Sequence, residues 1–224
     1  ITDRTLRNTL LNYSQRYVHL SITGLGGSIL EPRIPDWQST AAMIPDIIAL
    51  TGSAERVSWR FDPIITVANQ EERIISNADM FDDIADAVAA CGVTTCRTSW
   101  VAPYKKVIGR MQKKGLRLML PSAEDKRRQA ETLVEKASQH GVSLYFCSME
   151  GLPVSSCIDG RLFNRMHPEG RICSEKKARG QRTCCGCTDS LDIGWYSMKC
   201  FNSCLYCYGE IDSSRVAAPP PVRG

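Results

Sequence analysis

RVSWRFDPIITVANQEERIISNADMFDDIADAVAACGVTTCRTSWV, residues 56–101, carries the unit from which the fold is read. A β-rich head, Arg56–Phe61, and a β-rich tail, Thr95–Val101, bracket an amphipathic helix that stops at Gly92. Asn69, with Glu72 three residues on, is the expected cap of that helix, and Cys91 its last residue. Ile74, Ala78, Phe81, Ala85 and Val88 recur in three- and four-residue steps, so they should share one buried face. Asp82, Asp83 and Asp86 then face water.

The same unit recurs outward in both directions. Tyr17–Thr23 reads as a strand upstream, followed by a helix from about Thr40 to Leu50 that stops at Gly52. Downstream, Ser122 with Asp125 forms a capping box for a helix ending near His140–Gly141, with Ala130, Leu133, Val134 and Ala137 inward. The strand Ser143–Cys147 follows at once. Strands alternating with helices define an α/β fold with a parallel sheet, either open and doubly wound or wound into a partial or complete TIM-like (β/α) barrel. Periodicity does not choose between them; the barrel is the form carried forward, and in both cases ligands belong at the C-terminal ends of the strands. The chain opens on Ile1 and goes directly into an expected helix, Thr5–Tyr13, which suggests an N-terminally truncated sequence.

After Met149 glycine, proline, cysteine and basic residues replace helical periodicity. Residues 1–149 therefore read as the βα-repeat region, 150–212 as a loop-rich cysteine segment of the same domain, and 213–224 as a disordered Pro-rich tail. The 224 residues are 43% hydrophobic and 23% charged, the composition of a globular protein with a sizeable core. A formal net charge of +4 is too small to imply a nucleic-acid partner by itself. No apolar run approaches the roughly 20 residues that cross a bilayer, and no signal-peptide core opens the chain, so the expected location is cytoplasmic, without a membrane partner. Eleven cysteines, most of them from Cys157 onward, suggest metal rather than a disulfide framework.

The tightest group is Cys200-Phe-Asn-Ser-Cys204-Leu-Tyr-Cys207. Three thiolates at this spacing can hold one 4Fe–4S cluster and leave the fourth iron without a protein ligand. The motif resembles that of the radical S-adenosylmethionine enzymes, where the open iron chelates the cofactor. The resemblance implies a cluster on Cys200, Cys204 and Cys207, with Tyr206 against the adenine. It also implies an unknown substrate and an electron donor such as a ferredoxin or flavodoxin. A zinc-stapled binding module and a cluster protein for electron transfer or sensing remain as alternatives. Upstream, Cys184-Cys185-Gly-Cys187 forms a second group, and Cys157, Cys173 and Cys147 are available to complete it. The expected set is Cys157, Cys185 and Cys187, holding a second cluster or a zinc staple. Cys91 and Cys96 read as small buried hydrophobes.

The run from Cys185 through Ser190, Asp192, Gly194 and Tyr196 to Cys200, Cys204 and Cys207-Tyr208 resembles domain-of-unknown-function family eighteen-forty-eight. That family's hallmark is a C-terminal cysteine cluster similar to the one in radical S-adenosylmethionine proteins. Ile22-Thr23-Gly24 with Glu31-Pro32, then Trp59–Ile64, then Cys157-Ile158-Asp159, agree with it in order. The chain departs from the family in lacking an N-terminal Arg-Arg-Thr-Asp strand segment and in carrying Cys173 and Cys184. The missing segment would leave a sheet edge open.

Arg60 and Asp62 flank Phe61 on one face of a strand end, where they could hold a carboxylate and a ribose, or simply pair with each other. The glycine loop Thr23–Ser28 lacks a full dinucleotide fingerprint. Arg161, Arg165, Arg171, Lys176, Lys177, Arg179 and Arg182 make a basic stretch. With Phe163 as its one aromatic, it reads as a solvated loop ahead of a nucleic-acid contact. His19, His140 and His167 read as ordinary.

Overall fold

The computed structural model describes residues 4–193 and 199–211. Gly194, Trp195 and Tyr196 of the family-like run, and the tail 213–224, lie outside the described residues. Among the described residues nine strands run in chain order: β1 Val18–Ser21, β2 Val57–Ile64, β3 Thr66–Ala68, β4 Ile74–Ser76, β5 Thr95–Trp100, β6 Arg117–Met119, β7 Ser143–Phe146, β8 Lys199–Cys200 and β9 Glu210–Ile211. The α-helices are α1 Arg4–Leu11, α2 Trp37–Ala41, α3 Ile44–Thr51, α4 Phe81–Ala90, α5 Lys105–Gln112, α6 Ala123–Gln139 and α7 Gly160–Met166.

The main sheet is parallel, in the order β1-β2-β5-β7. Chain order is kept across it, so the winding never reverses as a doubly wound sheet must. Right-handed crossovers that always step the same way leave their helices on one face. That face is apolar: Val57, Trp59, Phe61, Cys96, Leu144 and Phe146 meet Ile44 and Ile47 of α3, Phe81, Ile84 and Val88 of α4, and Leu133 of α6. Trp59, Phe61 and Phe81 pack as a ring triplet with centroids 5.0–5.6 Å apart. The Trp59 indole N–H donates to the Ile22 carbonyl at 2.8 Å, so its polar edge is satisfied inside the core.

Of the partial or complete TIM-like barrel expected, the complete form is not seen. Among the described residues no barrel closes, and β1 and β7 remain edges. Four parallel strands are half the number that closes such a barrel. The chain's remaining longer strands form a separate antiparallel sheet, β4-β3-β6, over a second core of Ile65, Val67, Val107, Met111 and Leu116.

The expected start of the central helix is also corrected. Residues 66–76 form a β-hairpin, and α4 begins only at Phe81. Asn69 makes the hairpin turn instead of a helix cap, its side-chain oxygen accepting from the backbone N–H groups of Glu71 and Arg73. Ile74 is 57% exposed on β4, whereas Phe81, Ala85 and Val88 are fully buried as expected. The helix expected over Thr40–Leu50 is two helices, with Pro45 in the first turn of α3, where its missing N–H costs nothing. The Ser122–Asp125 capping box at the start of α6 is present in both directions. No helix among the described residues is long and apolar enough to cross a membrane.

Candidate functional site

Alternation along the strands sends the other set of side chains to the opposite face of the main sheet. Register places His19 beside Ser58 and Ser21 beside Arg60, then Arg60 beside Arg97 and Arg97 beside Tyr145. This face is polar, and the cysteine segment lies across it. The Cys157 carbonyl is 2.7 Å from His19 Nε2. Arg97, only 5% exposed, donates from Nε to the Ser156 carbonyl at 3.1 Å and also bonds Tyr17 and Ser58. Tyr17 in turn packs against Phe163 of α7, centroids 5.3 Å apart.

Arg60 and Asp62 sit at the C-terminal end of β2 and are ion-paired with each other. Ser99 Oγ also donates to Asp62, at 2.5 Å. The Nε of Arg60 is buried and has no acceptor among the described residues. These two residues line a cavity of about 280 Å³ together with Ser21, Thr23, Glu31, Tyr206 and all three cysteines Cys200, Cys204 and Cys207. A second cavity, about 170 Å³, shares Asp62, Tyr206 and Cys207 and adds Ser99 and Arg182. Both lie at the strand ends where parallel α/β folds keep ligands.

The loop that carries the three cysteines is pinned from beneath. Leu205 is buried in the second core, and its N–H donates to the Leu30 carbonyl at 3.0 Å. Arg33 donates to the Phe201 carbonyl at 2.6 Å, and Arg110 to the Cys204 and Gly209 carbonyls at 3.3 and 3.4 Å. The Gly209 N–H donates to Cys207 Sγ at 3.3 Å. Tyr206 is held by its hydroxyl, which donates to Glu31 Oε1, while Thr23 donates to the same oxygen at 2.6 Å. Glu31 is 3% exposed, and burial pushes its carboxyl upward. Burial also pushes the Cys204 thiol up to about 12, with Glu31 and Cys207 adding to the effect.

The upstream cysteines meet elsewhere on the polar face. The Cys157 thiol is close enough to those of Cys147 and Cys187, and the Cys187 thiol to that of Cys185, for them to shift one another's titration. Cys157 pulls the Cys147 and Cys187 thiols down, to about 6 and about 5, and is itself pushed up. Cys147, one of the cysteines available to complete the second group, thus joins Cys157, Cys185 and Cys187. Cys173 does not: it is exposed, its sulfur directed to the Gly160 carbonyl. Cys96 is fully buried in the helix-side core and Cys91 packs against it. Among the described residues no group of three or more His, Cys, Asp or Glu side chains is arranged to hold a single metal ion.

Gly186 explains how the segment closes. A Cβ there would lie 2.4 Å from Ser156 Oγ and 3.0 Å from the Ser155 carbonyl, because the 185–187 backbone runs directly over 154–156. Gly186→Ala is expected to destabilise the protein by about 2 kcal/mol, from overpacking against backbone. Urea denaturation checks it, and an unchanged midpoint would contradict this close approach.

Sequence reading missed Glu31, Thr23, Arg97, Asn77 and Arg110 as site-building residues. Two signals were available: Thr23 and Glu31 bracket the glycine loop, and both fall in segments that agree with the family resemblance. A model of the family described as domain of unknown function (DUF1848) matches residues 4–209. No curated protein and no solved structure matches the chain.

Proposed function

From the premise that this chain belongs to the DUF1848 family across residues 4–209, a family whose description specifies no activity, we propose that it binds a 4Fe–4S cluster through Cys200, Cys204 and Cys207. In this reading the adjoining cavity receives S-adenosylmethionine or a closely similar zwitterion.

The observation that carries this reading is the meeting of all three thiols with Arg60, Asp62, Glu31 and Tyr206 on one cavity. The donor set fits the group. Three thiols from one short loop are the ligand number that leaves one iron of a four-iron cluster open. That no set of side chains among those described converges on a single ion is compatible with a cluster, whose ligands each bind a different iron. When bound, a reduced cluster of this kind supplies the electron that cleaves a sulfonium carbon–sulfur bond.

The chain's own residues do the rest. Arg60, with Nε free of an acceptor, offers a charge-assisted bond to a carboxylate. Asp62, already oriented by Arg60 and Ser99, accepts from an amine or a ribose hydroxyl. Tyr206 is clamped through its hydroxyl to Glu31, which leaves its ring as a fixed apolar wall. Cys200 lines the cavity and is itself exposed, so an electron donor of the ferredoxin or flavodoxin type would dock on its side.

Anaerobic reconstitution with iron and sulfide tests the reading. The full chain is expected to turn brown, with a broad thiolate-to-iron absorption band, and C200S/C204S/C207S to lose that portion of the iron. A colourless protein carrying stoichiometric zinc would sink the proposal. Arg60→Met is expected to keep the cluster but to weaken S-adenosylmethionine binding by roughly tenfold to a hundredfold, the worth of one charged hydrogen bond. Equilibrium dialysis of the reconstituted variant reads this directly.

A further inference from the structure

Four thiols outside that cavity are brought together by backbone pairing rather than by sequence adjacency. Three chain segments do it. Residues 153–155 pair with the end of β7: the Phe146 N–H donates to the Pro153 carbonyl at 2.7 Å, and the Ser155 N–H to the Phe146 carbonyl at 3.0 Å. Residues 186–188 then pair with 155–158: the Gly186 N–H donates to the Ser155 carbonyl at 3.2 Å, and the Thr188 N–H to the Ile158 carbonyl at 2.9 Å. This lattice brings Cys147, Cys157, Cys185 and Cys187 together, close enough that Cys157 interacts with Cys147 and Cys187, and Cys185 with Cys187 and Cys147. Gly186 between the last two is the residue that lets the outer segment approach so closely.

We infer that Cys147, Cys157, Cys185 and Cys187 bind a second iron–sulfur cluster on the polar face of the sheet. Four thiols are a complete ligand set for such a cluster, with no iron left open. Around a single zinc the sulfurs would have to stand on one tetrahedron, about 3.8 Å apart at a zinc–sulfur distance of about 2.3 Å. No group of three among the described residues converges on one ion. Thiols carried on three separate segments can open around a larger body whose irons each take one sulfur.

The surroundings suit an anionic cluster. Arg182 donates toward Cys147 Sγ at 3.6 Å, and the Arg60 guanidinium interacts electrostatically with both Cys147 and Cys157. Arg60 also lines the Cys200/Cys204/Cys207 cavity, so one side chain stands between the two thiol groups. The second cluster, having no open iron, binds no substrate. Its place beside Arg60 fits storage or relay of an electron.

Assembly from equal ferrous and ferric iron with sulfide needs no net electron transfer. Four thiol S–H bonds are replaced by four Fe–S bonds, and four protons leave. The full chain is reconstituted in this way, and iron and acid-labile sulfide are counted. The wild type is expected to hold about eight irons, C157S/C187S about four, and C200S/C204S/C207S about four. Mass-spectrometric alkylation of the loaded wild type, which needs no variant to fold, should find Cys147, Cys157, Cys185 and Cys187 protected until a chelator strips the iron. The inference is overturned if C157S/C187S keeps all the wild-type iron, if these four thiols alkylate freely in the loaded protein, or if zinc holds them and iron does not displace it. Full iron in C200S/C204S/C207S would instead defeat the assignment of the other cysteine group and leave this one standing.

Discussion

Replacing Asn77 with alanine is expected to destabilise the fold by about 4 kcal/mol, more than any surface substitution and near the top of what one polar residue contributes. Asn77 is 0% exposed and makes three bonds. Its oxygen accepts from the Ile65 N–H at 2.9 Å, and its amide donates to the Thr23 carbonyl at 3.1 Å and to the Pro63 carbonyl at 3.0 Å. Truncation leaves a buried donor, a buried acceptor and a part-buried acceptor without partners, each of the buried ones costing about 1–3 kcal/mol. Those groups belong to the loops that carry Thr23 and Asp62 into the cavity, so the loss should spread to ligand binding. Chemical denaturation measures the first effect. A loss below about 1 kcal/mol would show that the loops do not depend on this side chain.

Arg97→Met is expected to cost about 3 kcal/mol and to unseat the cysteine segment from the sheet. The guanidinium spans β5, Ser58 of β2, Tyr17 and the Ser156 carbonyl, and methionine can fill its volume but reach none of these acceptors. Arg97→Lys should recover only part, because one ammonium cannot span partners that a planar fork reaches. The readout is the rate at which a thiol reagent modifies Cys157, Cys185 and Cys187 in the metal-free protein. It should rise severalfold in R97M, and an unchanged rate would mean that the segment docks by other contacts.

These two residues also mark where sequence reading stopped. Strand and helix phase were legible wherever a local pattern was unambiguous. Trp59 and Phe61 alternate with Ser58 and Arg60, Ser122 and Asp125 announce α6, and the apolar steps of α4 hold from Phe81 onward. The hairpin at 66–76 was misread because Ile74 falls in helical phase with Phe81, while the decisive interaction, Asn69 with its own turn, is equally available to a cap. A barrel was expected because parallel βα units look the same whether the sheet closes or not. Only the count of paired strands separates the two.

At the site, spacing grouped Cys200, Cys204 and Cys207, which line one cavity with Arg60 and Asp62 at the strand end. The partners that hold them were invisible. Glu31 reaches Tyr206 across 175 residues of chain, and His19 meets the Cys157 carbonyl across 138. Cys147 joined its group through loop pairing that no local pattern encodes.

The most direct test of the central reading is electron paramagnetic resonance of the reduced, reconstituted full chain before and after S-adenosylmethionine is added. An open iron beside Arg60 and Asp62 predicts that the cofactor shifts the spectrum of the Cys200/Cys204/Cys207 cluster in C157S/C187S, and that R60M weakens the shift. A cluster spectrum that S-adenosylmethionine leaves unchanged at saturating concentration would contradict the account.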